Sequence, residues 1–63
     1  MLLFEHNKTG SEHIYIGATA PNSNGIIEHE MMKKDTGKIQ LVGCSEFRND
    51  YHFVKEESEN AVI

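Results

Sequence analysis

Four histidines and one cysteine are the side chains of this sequence with the widest chemical range. His6, His13 and His29 each follow a glutamate directly, while His52 and Cys44 lie in the second half of the chain. Imidazole nitrogens, a thiolate and carboxylates together make a ligand set suited to zinc. No His-x-x-x-His or Cys-x-x-Cys spacing places two of them on one element. We therefore interpret the histidines as surface residues and expect no metal and no cofactor.

A nucleophile beside a base is the second chemistry to consider. Cys44 with His29 or His52 would form such a pair. An enzyme also needs a pocket around the pair, and a chain of 63 residues has little room for one. We predict a buried structural cysteine and a protein that is not an enzyme, with a metal- or cysteine-dependent enzyme as an alternative.

The composition predicts one small domain. Of the residues, 38% are hydrophobic and 25% are charged, with a formal net charge of −4. Basic residues cluster only around Lys33, Lys34 and Lys38, so we expect neither a nucleic-acid partner nor a membrane partner. The single cysteine and the short N-terminal apolar run favour a cytoplasmic protein. We assign residues 1–55 to one β domain and residues 56–63 to a polar tail.

A β-hairpin around Asp35-Thr36-Gly37 is the clearest structural signal. Glycine is favoured at the last position of a three-residue loop, where φ is positive. This loop would pair Met31 with Leu41. The apolar face would then contain Ile27, Met31, Ile39 and Leu41, and the opposite face would contain Glu28, Glu30, Gln40 and Val42.

Two alternatives remain for this stretch. A two-residue loop at Thr36-Gly37 would shift the pairing and bring His29 opposite Cys44. Residues 26–34 could instead form a short helix, which would make the fold α+β. A helix over residues 47–58 is a further alternative, because Phe47, Tyr51 and Val54 have helical spacing.

The remaining elements are read from alternation and turn residues. Strands are predicted at Met1–Glu5, His13–Gly17 and Tyr51–Lys55, and one helical turn is predicted over residues 45–50 with Ser45 as its N-cap. Five short strands in consecutive order are typical of an all-β meander that curls into a small or partly open barrel.

Several of these segments resemble a family of small, functionally uncharacterised SH3-like proteins of bacteria and phages. The matching residues are His6, Lys8, Thr9, Gly10, Tyr15, Ile16, Gly17, Ala18, Leu41, Val42, Glu46 and Phe47. Relatives have an aromatic residue and Val-Arg in the later strand, where this chain has Leu41-Val42-Gly43. The resemblance implies an SH3-like barrel and no particular activity.

We expect a protein that works by binding another protein, with a structural homodimer as the alternative. An acidic chain without a catalytic constellation favours this role, and the resemblance adds a bacterial or phage setting. The predicted binding residues are Tyr15, Glu28, Glu30, Met32 and Tyr51.

Overall fold

The structure is a computed structural model that describes residues 1–57. The chain forms strands β1 (Leu2–His6), β2 (Glu12–Ala18), β3 (Glu28–Lys33) and β4 (Ile39–Gly43), then helix α1 (Cys44–Asp50) and strand β5 (Tyr51–Glu56). All neighbouring strands are antiparallel, and their order in the sheet is β4-β3-β2-β1-β5. The predicted all-β class with five strands is confirmed, together with one short helix, while the SH3-like barrel stays a prediction.

The sheet curls because α1 connects its two outermost strands. The helix begins directly after β4 and ends directly before β5. Seven residues of helix span about 10 Å, whereas five flat strands would hold β4 and β5 about 19 Å apart. The amide of Gln40 in β4 donates a hydrogen bond of 3.1 Å to the hydroxyl of Tyr51 in β5. The two ends of the sheet therefore approach one another on the side of α1.

The core lies on this side of the sheet, which we call the inner face. Met31, Val42 and Tyr51 are buried there. Phe4 and Phe47 pack against them, with ring centroids 5.0 Å apart. Because α1 contributes no fully buried residue, Phe47 is its main anchor to the sheet. These three and Leu3 on the opposite side of the sheet are the buried apolar side chains of the described residues, which makes a thin core, as expected for a chain of this length.

The predicted turns and strands are largely confirmed. The turn before β2 places Gly10 at a φ of 75°, and its N–H donates to the carbonyl of His6 at 2.9 Å. The last strand extends to Glu56, one residue beyond the predicted domain boundary. The part of the predicted tail from residue 58 onward lies outside the described residues.

Both predicted hairpin registers are wrong, although the hairpin itself is confirmed. Met31 pairs with Gln40 and His29 pairs with Val42. The loop has four residues, and its last residue, Gly37, has a φ of 74° as predicted. Its N–H donates to the carbonyl of Lys33 at 2.7 Å, which closes one helical turn inside the loop.

This change of register reverses the two faces of β4. A one-residue slip sends every side chain of a strand to the opposite face. Val42, predicted to be exposed, is buried, while Ile39 and Leu41, predicted to fill the core, are 52% and 54% exposed. The side chain of Val42 therefore lies in the core, and the side chain of Gln40 on the same face is partly buried.

The helical alternatives are also settled by the structure. Residues 28–33 are a strand, so a helix over residues 26–34 is wrong. Of the stretch 47–58, only the part up to Asp50 is helical, because Tyr51 begins β5. The predicted helical turn is present, but Gly43 is its N-cap residue and Ser45 lies inside the helix.

Candidate functional site

The two edges of the sheet differ in charge and regularity. The β5 edge carries Lys55 and Glu56, and its pairing with β1 has a register shift that leaves Val54 without a partner. Charges and bulges are the usual features that protect an edge from pairing with another strand. The β4 edge has the sequence Ile-Gln-Leu-Val-Gly, without a charge, and pairs with β3 in unbroken register. It lacks both kinds of protection.

The backbone of β4 presents polar groups at this edge. The N–H of Lys33 donates to the carbonyl of Lys38 at 2.8 Å, so these residues form a hydrogen-bonded pair. Hydrogen-bonded and non-hydrogen-bonded pairs alternate along an antiparallel ladder. The N–H and C=O groups of Ile39 and Leu41 and the N–H of Gly43 therefore point away from β3. The C=O of Gly43, the N-cap residue of α1, accepts the first hydrogen bond of the helix instead. Within residues 1–57, no other strand lies on that side of β4.

Exposed apolar side chains accompany these backbone groups. Leu3, Ile14, Met32 and Ile39 are cross-strand neighbours in one row, on the side of the sheet opposite to α1, which we call the outer face. Leu3, on β1 at the other end of the row, is only 1% exposed, whereas Ile39 at the β4 edge is more than half exposed. The exposed fraction of these apolar side chains is therefore highest at β4. We define the β4 edge site as the outward backbone groups of residues 39, 41 and 43 together with the side chains of Ile39 and Leu41.

The predicted binding residues divide between the two faces. Glu28, Glu30 and Met32 lie on the outer face, where Glu30 pairs with Leu41 and Met32 pairs with Ile39. They border the β4 edge site. Tyr15 and Tyr51 lie on the inner face, and Tyr51 is only 6% exposed. The five residues do not form one surface, and their role in binding stays a prediction.

Tyr15 and Tyr51 have structural contacts instead. The hydroxyl of Tyr15 lies 2.8 Å from Nδ1 of His29, and its ring packs against Phe47. Burial raises the pKa of Tyr51, with the carboxylate of Glu46 adding to the shift. Tyr51 therefore remains a neutral phenol over the physiological pH range.

An open polar cavity of about 460 Å³ lies at the turn end of the sheet. Its lining consists of His6, Thr9, Gly10, Ser11, His13, Lys33, Asp35, Gln40 and Tyr51. Ser11 Oγ lies 2.8 Å from Nε2 of His13, which resembles half of a hydrolytic triad. Nδ1 of His13 has no hydrogen-bond partner among the described residues, so no carboxylate orients the ring there.

His13 is buried, contrary to the prediction that the histidines lie at the surface. It is 3% exposed, and its ring contacts that of Tyr51 edge to face, with the centroids 5.2 Å apart. Burial lowers the pKa of His13, and the nearby positive charges of His6 and Lys33 lower it further. The folded protein thus favours the neutral imidazole.

Cys44 lies beside His29, although neither predicted register is present. Its Sγ is 3.6 Å from Nε2 of His29 and donates to the carbonyl of Ile27 at 3.2 Å. Because Cys44 begins α1 at the border of the sheet, it is exposed, and the prediction of a buried cysteine is wrong. In the described part of the chain, no group of three or more His, Cys, Asp or Glu side chains is arranged to hold a metal ion.

Sequence reasoning missed Ile39 and Leu41 as surface residues because it assigned them to the core. One available signal was the contrast in charge between the two candidate edge strands. The segment from residue 39 to 43 has no charged residue, whereas Lys55 and Glu56 end the last strand. An uncharged edge strand is unusual in a monomeric sheet.

Over residues 1–57, no helix combines the length and the apolar character needed to cross a membrane. Comparisons of the chain with models of known protein families, with curated proteins and with solved structures find no match. The resemblance to small SH3-like proteins therefore stays a prediction.

Proposed function

We propose that this protein is a non-enzymatic binding module that accepts an extended segment of another protein along β4. The observation that carries the proposal is the β4 edge site, where unpaired backbone groups and exposed apolar side chains coincide. Strand addition uses both, since the main chain supplies affinity and alternate side chains supply specificity. The resemblance adds a setting in the cytoplasm of a bacterium or a phage-infected cell.

The arrangement of the outer face indicates what kind of segment would fit. A strand added beside β4 would place every second side chain next to Ile39 and Leu41. Apolar residues at those positions would extend the row that runs from Leu3 through Met32. We therefore expect binding segments of about five residues with alternating apolar side chains.

Selection from a random peptide display library tests the proposal. Selected peptides should alternate apolar and polar residues, and titration into labelled protein should shift the amide resonances of Ile39, Leu41 and Gly43. Leu41→Pro should abolish binding, because it removes an outward N–H without removing a hydrogen bond to β3.

Val54→Pro on the β5 edge is the matched control and should leave peptide binding unchanged. The proposal is wrong if selection yields no binder, or if the peptides shift resonances elsewhere and bind equally well to the Leu41→Pro variant.

A further inference from the structure

The β4 edge site has properties that suit one partner in particular, a second copy of this chain. The outward-facing residues are Ile39, Leu41 and Gly43, spaced evenly about Leu41. Two such strands placed antiparallel, with Leu41 on the two-fold axis, would pair Leu41 with itself and Ile39 with Gly43. The Leu41 pair would exchange two backbone hydrogen bonds, as in a regular ladder. In each Ile39–Gly43 pair the N–H of Gly43 would donate to the carbonyl of Ile39, because the carbonyl of Gly43 already accepts the first hydrogen bond of α1. The outward N–H groups of Leu41 and Gly43 and the outward carbonyls of Ile39 and Leu41 would then be paired.

The charges around β4 favour the same antiparallel arrangement. Lys38 lies at the start of the strand, beside Lys33 in the hairpin. At the other end, Glu46 is exposed in the first turn of α1, directly after the strand. Glu28 beside Gly43 does not contribute, because it lies on the outer face and Lys33 lies on the inner face. One end of the edge is therefore basic and the other is acidic. An antiparallel pair brings the basic end of each copy to the acidic end of the other.

The apolar side chains support this pairing through the outer face. In a two-fold pair joined edge to edge, both outer faces lie on the same side of the joined sheet. The side chains of Leu41 from the two copies would be direct cross-strand neighbours, flanked by Ile39. This contact would cover residues that are more than half exposed in the single chain. The thin core gives a further reason for assembly, since small domains commonly gain stability by oligomerisation.

We propose that the protein forms a symmetric homodimer in which the β4 strands of two copies pair antiparallel about Leu41, giving a continuous ten-stranded sheet. This inference rests on the proposed addition of a strand to β4, and it takes that strand from a second copy of the chain instead of from a different protein. The regular, uncharged β4 edge pairs, and the bulged β5 edge with Lys55 and Glu56 remains free.

Sedimentation of the wild-type protein from low micromolar to submillimolar concentration tests the proposal. We expect a reversible monomer–dimer equilibrium. Leu41→Lys should weaken dimerisation at least about tenfold, because it removes the apolar contact and places two like charges opposite one another on the axis. Far-ultraviolet circular dichroism should show that the variant remains folded, since residue 41 is exposed in the single chain.

Two controls separate edge pairing from other modes of association. Ile16, 49% exposed and two strands away from the β4 edge, would be covered only if the sheets packed face to face. Ile16→Lys should therefore leave the dimer intact, and Val54→Lys on the β5 edge should do the same. A protein that is monomeric throughout, or a dimer lost in either control but kept with Leu41→Lys, would overturn the proposal.

Disulfide formation tests the register in a Cys44→Ser background. Leu41→Cys should crosslink readily, because residues facing one another on the axis have Cα atoms about 5.5 Å apart. Ile39→Cys should not, because the two copies of residue 39 would lie about 14 Å apart along the strands. Equal crosslinking of both variants would contradict the register.

The outcomes also distinguish this proposal from the proposed function. A monomeric protein whose β4 amides respond to selected peptides would retain the strand-binding role and exclude a second copy as its partner. Absence of both responses would reject the β4 edge as a binding site.

Discussion

His13 is the residue whose chemistry is changed most by the fold. Its ring lies between the hydroxyl of Ser11 and the ring of Tyr51, while Nδ1 is buried without a described partner. A buried polar atom without a hydrogen bond costs about 1 to 3 kcal/mol. Protonation would add the further cost of burying a charge near Lys33. The buried position of His13 therefore makes stability depend on pH.

We predict that the free energy of unfolding decreases as the pH falls below about 6.5. The pKa of His13 is lowered in the folded protein from its ordinary value of 6.5, so below that pH the unfolded chain binds more protons. Linkage limits this contribution to about 1.4 kcal/mol per pH unit. Urea unfolding of His13→Gln across this range should show a weaker pH dependence than the wild type.

His52→Gln is the matched control, because His52 is exposed and its Nε2 lies 3.0 Å from a carboxylate oxygen of Glu5. The unfolding free energy of His52→Gln should still show the pH dependence that comes from His13. An unchanged slope in His13→Gln would show that burial of this ring does not control the response.

At the scale of the element, the β3–β4 hairpin shows what the sequence can and cannot predict. Gly37 marked the end of the loop correctly, because a positive φ strongly favours glycine. The number of loop residues was not predictable in the same way, since loops of three and four residues can both use Gly37. Packing decides between them. Val42 fits beside Met31 and Tyr51 on the inner face, and Leu41 is left at the surface.

The burial of His13 could not be predicted for a related reason. Alternation along β2 places the side chains of Ile14 and His13 on opposite faces of the sheet, but it does not predict which of the two faces α1 covers. That choice depends on the path of α1 and on Phe47, both far away in sequence. Local alternation therefore predicted the strands, and distant packing determined the faces.

Truncation of neighbouring side chains in β4 tests the observed register. We expect Val42→Ala to lower the free energy of unfolding by about 2 kcal/mol, because it removes buried methyl groups and leaves a cavity. Leu41→Ala, measured in dilute protein, should change it by no more than about 0.5 kcal/mol. Chemical denaturation of both variants gives the comparison. A larger loss of unfolding free energy in Leu41→Ala than in Val42→Ala would contradict the observed register and support the one in which Leu41 fills the core.

At the scale of the whole molecule, the connection through α1 accounts for both the core and the open β4 edge. The helix draws β4 and β5 toward one another on the inner face, which lets Gln40 reach Tyr51. The described strands do not close into a continuous ladder, because β4 and β5 remain the two ends of the sheet. The bulge and charges on β5 leave the regular β4 edge as the more accessible place for another strand.

Residue-specific hydrogen exchange along β4 tests the strand-binding account most directly. In dilute protein, the amides of Gln40 and Val42 should be protected by β3, while those of Ile39, Leu41 and Gly43 exchange rapidly. Raising the protein concentration, or adding a selected peptide, should protect Leu41 and Gly43 and leave Gln40 and Val42 unchanged. Rapid exchange of Leu41 and Gly43 under every one of these conditions would contradict the account.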